Sequence, residues 1–252
     1  MNLESLPKFY SPKSPKLNDQ TPATSSDALT ITDVMAAQGM VQSKAPLGFS
    51  LFLAKVGISD PQIAIDGLMG YAQSLRNPVL MKLSDKARAE ILPVLAQFAY
   101  ADYSRSAASK STCPHCEGKG ILRSKMDVVK HPGVKGVGPK IKNEQVEDIC
   151  THCDGKGEVS TACRGCKGKG KVFDEKRSKL HGMPVLKICS RCNGHRYSRV
   201  PTSLARFIVE KIVPDLTQYQ WYSGYAEVID KLVTKCWQEE AYAEAQLRKV
   251  TR

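Results

Sequence analysis

Residues 1–30 show little apolar periodicity and are rich in Ser, Thr, Pro, Lys and Asp, a pattern that predicts a mobile arm. From Thr32 the apolar spacing becomes helical. TDVMAAQGMVQS over 32–43 offers Thr32 as an N-cap with Asp33 in the first turn, and the apolar APLGFSLFLAKVG predicts a short helix that stops at Gly57. Ser59-Asp60-Pro61 opens a third striped helix. A fourth starts at Ser84 and extends to about residue 108, bent at Pro93. The helical period then disappears until Pro201, where PTSLARFIVEKIV predicts a helix with Pro201 near its first turn. Pro214-Asp215-Leu216 breaks the chain, and a long terminal helix follows from Thr217. The expected fold is mainly α: helical parts at 31–108 and 201–252 that pack on one another, interrupted at 109–200 by a β-ribbon insert.

Charge makes that insert distinctive. The chain of 252 residues carries a formal charge of +12, yet 1–103 holds 9 basic and 9 acidic residues and 201–252 holds 7 of each. The middle, 104–200, holds 21 basic and 9 acidic residues and so contains the whole excess. A basic field confined to one segment recruits polyphosphate. No run reaches the roughly 18 apolar residues that a membrane span requires, and MNLESLPKFYSPKSPK is too polar for a signal peptide. The expectation is a cytoplasmic protein without a membrane partner. Nine cysteines in a reducing compartment point to metal rather than to a disulfide framework.

Eight of those cysteines fall in four repeats: CPHCEGKG at 113–120, CTHCDGKG at 150–157, CRGCKGKG at 163–170 and CSRCNGHR at 189–196. A two-residue spacer aims both thiolates of a turn at one ion, and the glycines permit the positive torsions that bring amide N–H groups around the sulfurs. Each knuckle is therefore half of a tetrahedral site, and four knuckles supply two structural zinc ions. Three pairings are open. Because nine residues separate Cys153 from Cys163, loop length favours a nested arrangement. Site 1 is then Cys113, Cys116, Cys189 and Cys192, and site 2 is Cys150, Cys153, Cys163 and Cys166, stacked along a single ribbon. Sequential pairing, which makes two independent fingers, is the alternative. Two four-thiolate sites are formally −2 each, which lowers the charge to about +8.

The remaining candidates for chemistry are few. His115 and His152 sit inside knuckle turns and read as exposed turn residues, while His131, His181 and His195 lie in basic surroundings. Cys236 falls in the apolar pattern of the terminal helix and reads as a buried thiol. No catalytic triad, carboxylate pair or phosphate-cradling loop is present, since the GKG repeats lack Walker spacing, and the expectation is a protein that is not an enzyme and has no small-molecule substrate.

The four CxxCxGxG knuckles resemble the zinc centre of DnaJ-type chaperones, whose pairing is nested, although no J-domain signature accompanies them. The flanks resemble another family. LESLPKFYSPKSP at 3–15, TDVMAAQGMVQS at 32–43, FAYADYSRSAA at 98–108, YSRVPTS at 197–203, LTQ at 216–218 and the terminal VTR are similar to the lambda-type late antitermination Q proteins of lambdoid phages and prophages. That resemblance implies a factor that binds double-stranded DNA at a late promoter. It also implies engagement of the paused bacterial RNA polymerase holoenzyme and travel with the elongation complex through terminators. It further implies that Cys113, Cys116, Cys189 and Cys192 match the one zinc site of the family, and that the second and third knuckles are additions.

For nucleic acid, the basic residues nearest the metal ribbon are Lys119, Arg123, Arg164, Lys167, Lys169, Lys171, Arg191, Arg196 and Arg199. Such side chains contact phosphate and give affinity without much sequence choice. The helix at 201–213, the break and the helix from Thr217 have helix-turn-helix proportions, which makes Gln218 and Gln220 candidates for reading adenine edges, with Tyr219 nearby. Trp221, Tyr222 and Tyr225 fit core packing better. The competing function is a chaperone-like zinc module that binds polypeptide or RNA without sequence choice.

Overall fold

The structure is a computed structural model that describes residues 1–10, 31–133, 135–136 and 138–251. In chain order, a 3-10 turn at Leu3–Ser5 leads into helix α1 (Pro7–Tyr10). Helices α2 (Ile31–Lys44), α3 (Pro46–Lys55), α4 (Pro61–Ser74), α5 (Pro78–Met81) and α6 (Asp85–Tyr103) follow. Strands β1 (Lys110–Thr112), β2 (Ile121–His131), β3 (Lys140–Ile149), β4 (Glu158–Ser160) and β5 (Lys171–Phe173) come next, then α7 (Glu175–His181) and β6 (Leu186–Ile188). The chain ends with α8 (Thr202–Ile212), α9 (Gln218–Gln220), a widened π turn at Trp221–Ala226 and α10 (Glu227–Val250). About half of the chain is helical, and the sheets are small. Two compact units result, residues 1–104 with 200–252, and residues 105–199.

In the helical unit, side-chain caps define several starts: Asp60 accepts from the Gln62 amide, Ser84 from Ala87 and Thr217 from Gln220. Thr32 plays no such part, because α2 already includes Ile31. Pro93 lies inside α6, which stops at Tyr103 rather than near 108. The core gathers Leu80, Ile91, Leu95, Val209, Trp221, Tyr225, Val228 and Leu232. The Trp221 and Tyr225 rings stack at 6.0 Å, so these two are core residues, whereas Tyr222 is exposed. A second cluster corrects the expectation of a mobile arm over 1–30. Leu3 and Leu6 are buried against Val34, Val41, Phe52 and Leu247, and the Leu3 amide donates to Glu244 Oε2 at 2.7 Å. Two leucines three residues apart suffice to dock this end, which a polar composition hides; residues 11–30 lie outside the described residues.

Cys236 is buried beside Tyr103, and its thiol is pushed up to about 12 by burial, with Glu240 adding to the effect. Lys55 pairs with Glu240 at 3.0 Å and stands over the rings of Trp237 and Tyr103, at 4.3 and 4.6 Å from their centres. That arrangement lets a charged pair sit against the core edge with its hydrogen bonds made. No helix among the described residues is long and apolar enough to cross a membrane.

Among its described residues the second unit has three separate two-stranded antiparallel sheets, β1–β4, β2–β3 and β5–β6, in place of the single ribbon expected. Apart from Tyr197 and the cysteines, its described residues supply no buried hydrophobic side chain. Val159 and Val172 each pack partly against one group of sulfurs.

Candidate metal centres and nucleic-acid surface

Each knuckle turns in the same way. After its second cysteine, Glu117, Asp154, Lys167 and Asn193 have φ between 46° and 51°, and Gly118, Gly155, Gly168 and Gly194 between 77° and 87°. Gly120, Gly157, Gly170 and Arg196 close the turns at 71° to 77°. Arg196 therefore adopts the left-handed conformation of the glycines it replaces, at the cost such a conformation carries for a residue with a Cβ. These torsions aim amides at sulfur: the N–H of Gly120 donates to Cys116 Sγ at 3.2 Å, Gly157 to Cys153 at 3.3 Å and Gly170 to Cys166 at 3.1 Å.

The structure joins the first knuckle to the second and the third to the fourth. Cys113, Cys116, Cys150 and Cys153 form one buried group, and Cys163, Cys166, Cys189 and Cys192 the other, with the four sulfurs of each within 4.8 Å of one another. This corrects the nested assignment of Cys113, Cys116, Cys189 and Cys192 to one site and Cys150, Cys153, Cys163 and Cys166 to the other. Strand pairing is the physical reason. The β2–β3 hairpin runs in register from Ile121↔Ile149 outward, so Cys150 donates its N–H to Gly120 O at 2.9 Å and Cys113 donates to Gly157 O at 2.8 Å. The β5–β6 pair does the same for the third and fourth knuckles through Cys189 N–H to Gly170 O at 3.0 Å. The short segment between Cys153 and Cys163, which favoured a hairpin by length, instead becomes β4, and Thr161 anchors it to Ser106 and Ser109.

Both groups fit a tetrahedral metal ion. Thiolate bonds of about 2.3 Å imply sulfur edges of about 3.8 Å, and the measured separations are 3.9 Å for Cys113–Cys150 and Cys163–Cys189 and 3.7 Å for Cys116–Cys153 and Cys166–Cys192. Burial opposes ionisation of Cys116, but the Gly120 amide and the neighbouring thiols outweigh it and hold the group at about 7; the Cys166 amide brings Cys163 to about 7 in the same way. Burial and neighbouring sulfurs push Cys153 and Cys192 up to about 11. Four thiolates at such distances need a cation among them, and a site closed by four protein ligands leaves no open position for catalysis.

Around the centres, Lys119, Arg123, Arg164, Lys167, Lys169, Lys171, Arg191, Arg196 and Arg199 are all exposed. Arg123 is paired with Glu147 at 2.9 Å across the hairpin. A cleft of about 640 Å³ is lined by Arg164 and Lys167 together with Lys110, Lys156 and His152. Lys110 and Lys156 were not among the expected contacts, although both lie in the basic segment. His115 and His152 are exposed as expected, with their rings 4.2 Å apart. In the helical unit Gln218 is exposed, while Gln220 is partly committed: its side chain accepts from the Thr217 amide at 3.0 Å in a capping box. Tyr219 is 80% exposed beside them.

The sequence model of the family described as antitermination protein Q matches residues 23–107 and 157–244. The chain belongs to the antitermination protein Q family. It is 68% identical over 252 residues to the prophage antitermination protein Q homolog QuuQ of Escherichia coli K12, with both chains fully covered. It is 37% identical to the antitermination proteins Q of Salmonella phage P22 and of Escherichia phage lambda, again over the whole of both chains. The two matched segments place the Q-family boundaries informatively. They include Cys163, Cys166, Cys189 and Cys192 and pass over 108–156, which contains Cys113, Cys116, Cys150 and Cys153. The first and fourth knuckles were expected to form the family's centre. The stretch outside the match instead carries one complete group of four cysteines.

Proposed function

We propose that this chain is a transcription antitermination factor of a lambdoid phage or prophage. It binds double-stranded DNA at a late promoter, loads onto paused RNA polymerase in the bacterial cytoplasm, and lets the elongation complex read through terminators. The observation that carries this reading is the full-length 68% identity to a prophage Q homolog, supported by the family match on both sides of residues 108–156. The chain works by binding, with no catalytic residues. Two zinc ions, one in each group of four cysteines, serve as structural staples for a unit that lacks an apolar core. The exposed cations around the centres supply phosphate contacts, and Gln218, with the free amide of Gln220, faces base edges. The chaperone-like alternative loses its main support, because the cysteines group sequentially rather than in the nested DnaJ manner.

The test is a transcription assay with purified zinc-loaded protein, RNA polymerase holoenzyme and a template that carries the cognate late promoter and a downstream terminator. Read-through should rise several-fold. Termination that stays unchanged, with polymerase and promoter both active, refutes the proposal.

A further inference from the structure

The β2–β3 hairpin is the longest β element of the molecule, and its sequence changes character toward its free end. Near the knuckles, positive and negative side chains alternate, with Arg123 on Glu147 and Asp127 held by Asn143 at 2.7 Å. Beyond them, residues 128–143 contain Lys130, Lys135, Lys140 and Lys142 and no acidic residue at all. Glu144, at the border, is shared by Lys130 and Lys142, and the Lys130 contact in particular holds its carboxyl below the usual range. Lys125, Lys135 and Lys140 meet no carboxylate among the described residues.

The ribbon is also bare. Val129 and Ile141, cross-strand partners near the tip, are exposed, as are Met126 and Leu122 on the other face. An isolated two-stranded hairpin is marginal in water, and this one joins the first group of cysteines at its base, where Cys150 donates to Gly120 O beside the Ile121↔Ile149 pair. These residues and the first group of cysteines lie together outside the segments that the family model matches.

We propose that this hairpin, from mid-strand to its free end, is a second phosphate-binding surface for double-stranded DNA, separate from the cations around the cysteine groups, with Lys125 at mid-strand and Lys135 and Lys140 toward the free end as its main contacts. The dimensions select the ligand. A two-stranded ribbon fits the major groove of B-form DNA, about 12 Å wide, but not the deep, narrow major groove of an RNA duplex. Lysines along its length then reach the phosphates that flank the groove.

The proposal rests on the DNA-loading reading above, and the experiment separates the two. Full-length zinc-loaded protein and its K125Q/K135Q/K140Q variant are titrated with a linear DNA duplex of arbitrary sequence at several salt concentrations, with native mass spectrometry to confirm equal metal content. Loss of three phosphate contacts should flatten the slope of log K against log salt by about two to three and weaken binding at low salt at least about tenfold. K125R/K135R/K140R should restore both, and K231Q in the helical unit should change neither. If the wild type binds DNA and the glutamine variant has the same slope and affinity, the hairpin proposal is wrong and the loading reading survives. Tighter binding of an RNA duplex of the same sequence also overturns the proposal. A wild type that binds no duplex at low salt removes the DNA-loading reading itself and the hairpin proposal with it.

Discussion

The helical unit and the cysteine-rich unit of this chain solve the same problem by opposite means. The first buries Trp221, Tyr225, Ile91, Leu95 and Leu232 in a continuous apolar core, with the Ser84 cap and the Lys55–Glu240 pair at the edges of the unit. The second buries sulfur. Its eight knuckle cysteines sit in two groups, and hardly any carbon side chain is withdrawn from water beside them. The difference teaches where stability can reside: in water exclusion for one unit and, with a metal ion held in each group of cysteines, in ligand geometry for the other.

The largest effect should come from removing metal. A strong chelator should abolish hydrogen-exchange protection across β2, β3 and the knuckles, since structural zinc in small modules contributes roughly 10 kcal/mol or more of apparent binding energy. Amides of α6 and α10 should stay protected. Simultaneous loss in both units would erase the contrast.

Pairing can be read next by counting ions. C113S/C150S disables one group and should leave one zinc by native mass spectrometry, whereas C113S/C189S damages both groups and should leave neither site complete. The nested arrangement predicts the reverse for these two variants. In the helical unit, Trp221→Ala should cost roughly 3–5 kcal/mol in denaturant unfolding without altering the metal count.

A smaller effect tests the turns. A Cβ on Gly120 would lie 2.3 Å from Gly155 O, and one on Gly157 the same distance from Gly118 O, with both backbones at positive φ. Gly120→Ala should therefore loosen the first group by roughly 1–3 kcal/mol, read as a raised zinc dissociation constant. Arg196→Gly, which relaxes the matching position of the second group, should tighten it slightly or leave it unchanged. Equal responses at the two positions would mean that the reciprocal glycine contact is unimportant.

Much of this was legible in the residues, and the misses have identifiable causes. The helix starts at Asp60 and Ser84, the break after α8, the knuckles and the burial of Cys236 all follow from local chemistry that a sequence displays directly. The pairing of knuckles does not, because it depends on which strands find each other. Loop length alone favoured the nested solution, yet ILRSKMDVVKH and KIKNEQVEDI form a ten-pair hairpin that settles the matter by register. The docking of Leu3 and Leu6 was hidden for a similar reason: two apolar residues in a polar stretch leave no period to detect. Gln220 looked free for base reading because its capping role depends on the exact start of a helix.

The ends of the excursion between α6 and α8 have a bearing on design. Asp102 accepts the Val200 amide at 2.8 Å, and a few residues further on Arg105 donates to Ser198 O at 2.9 Å, so outgoing and returning chain run side by side as they leave the bundle. The same happens at a smaller scale where β1 meets β4, just before and after the first group of cysteines. Each crossing works like a socket with two adjacent contacts. A module bounded by either socket can therefore be shortened, exchanged with a relative's or replaced by a reporter while the residues on its other side keep their spacing.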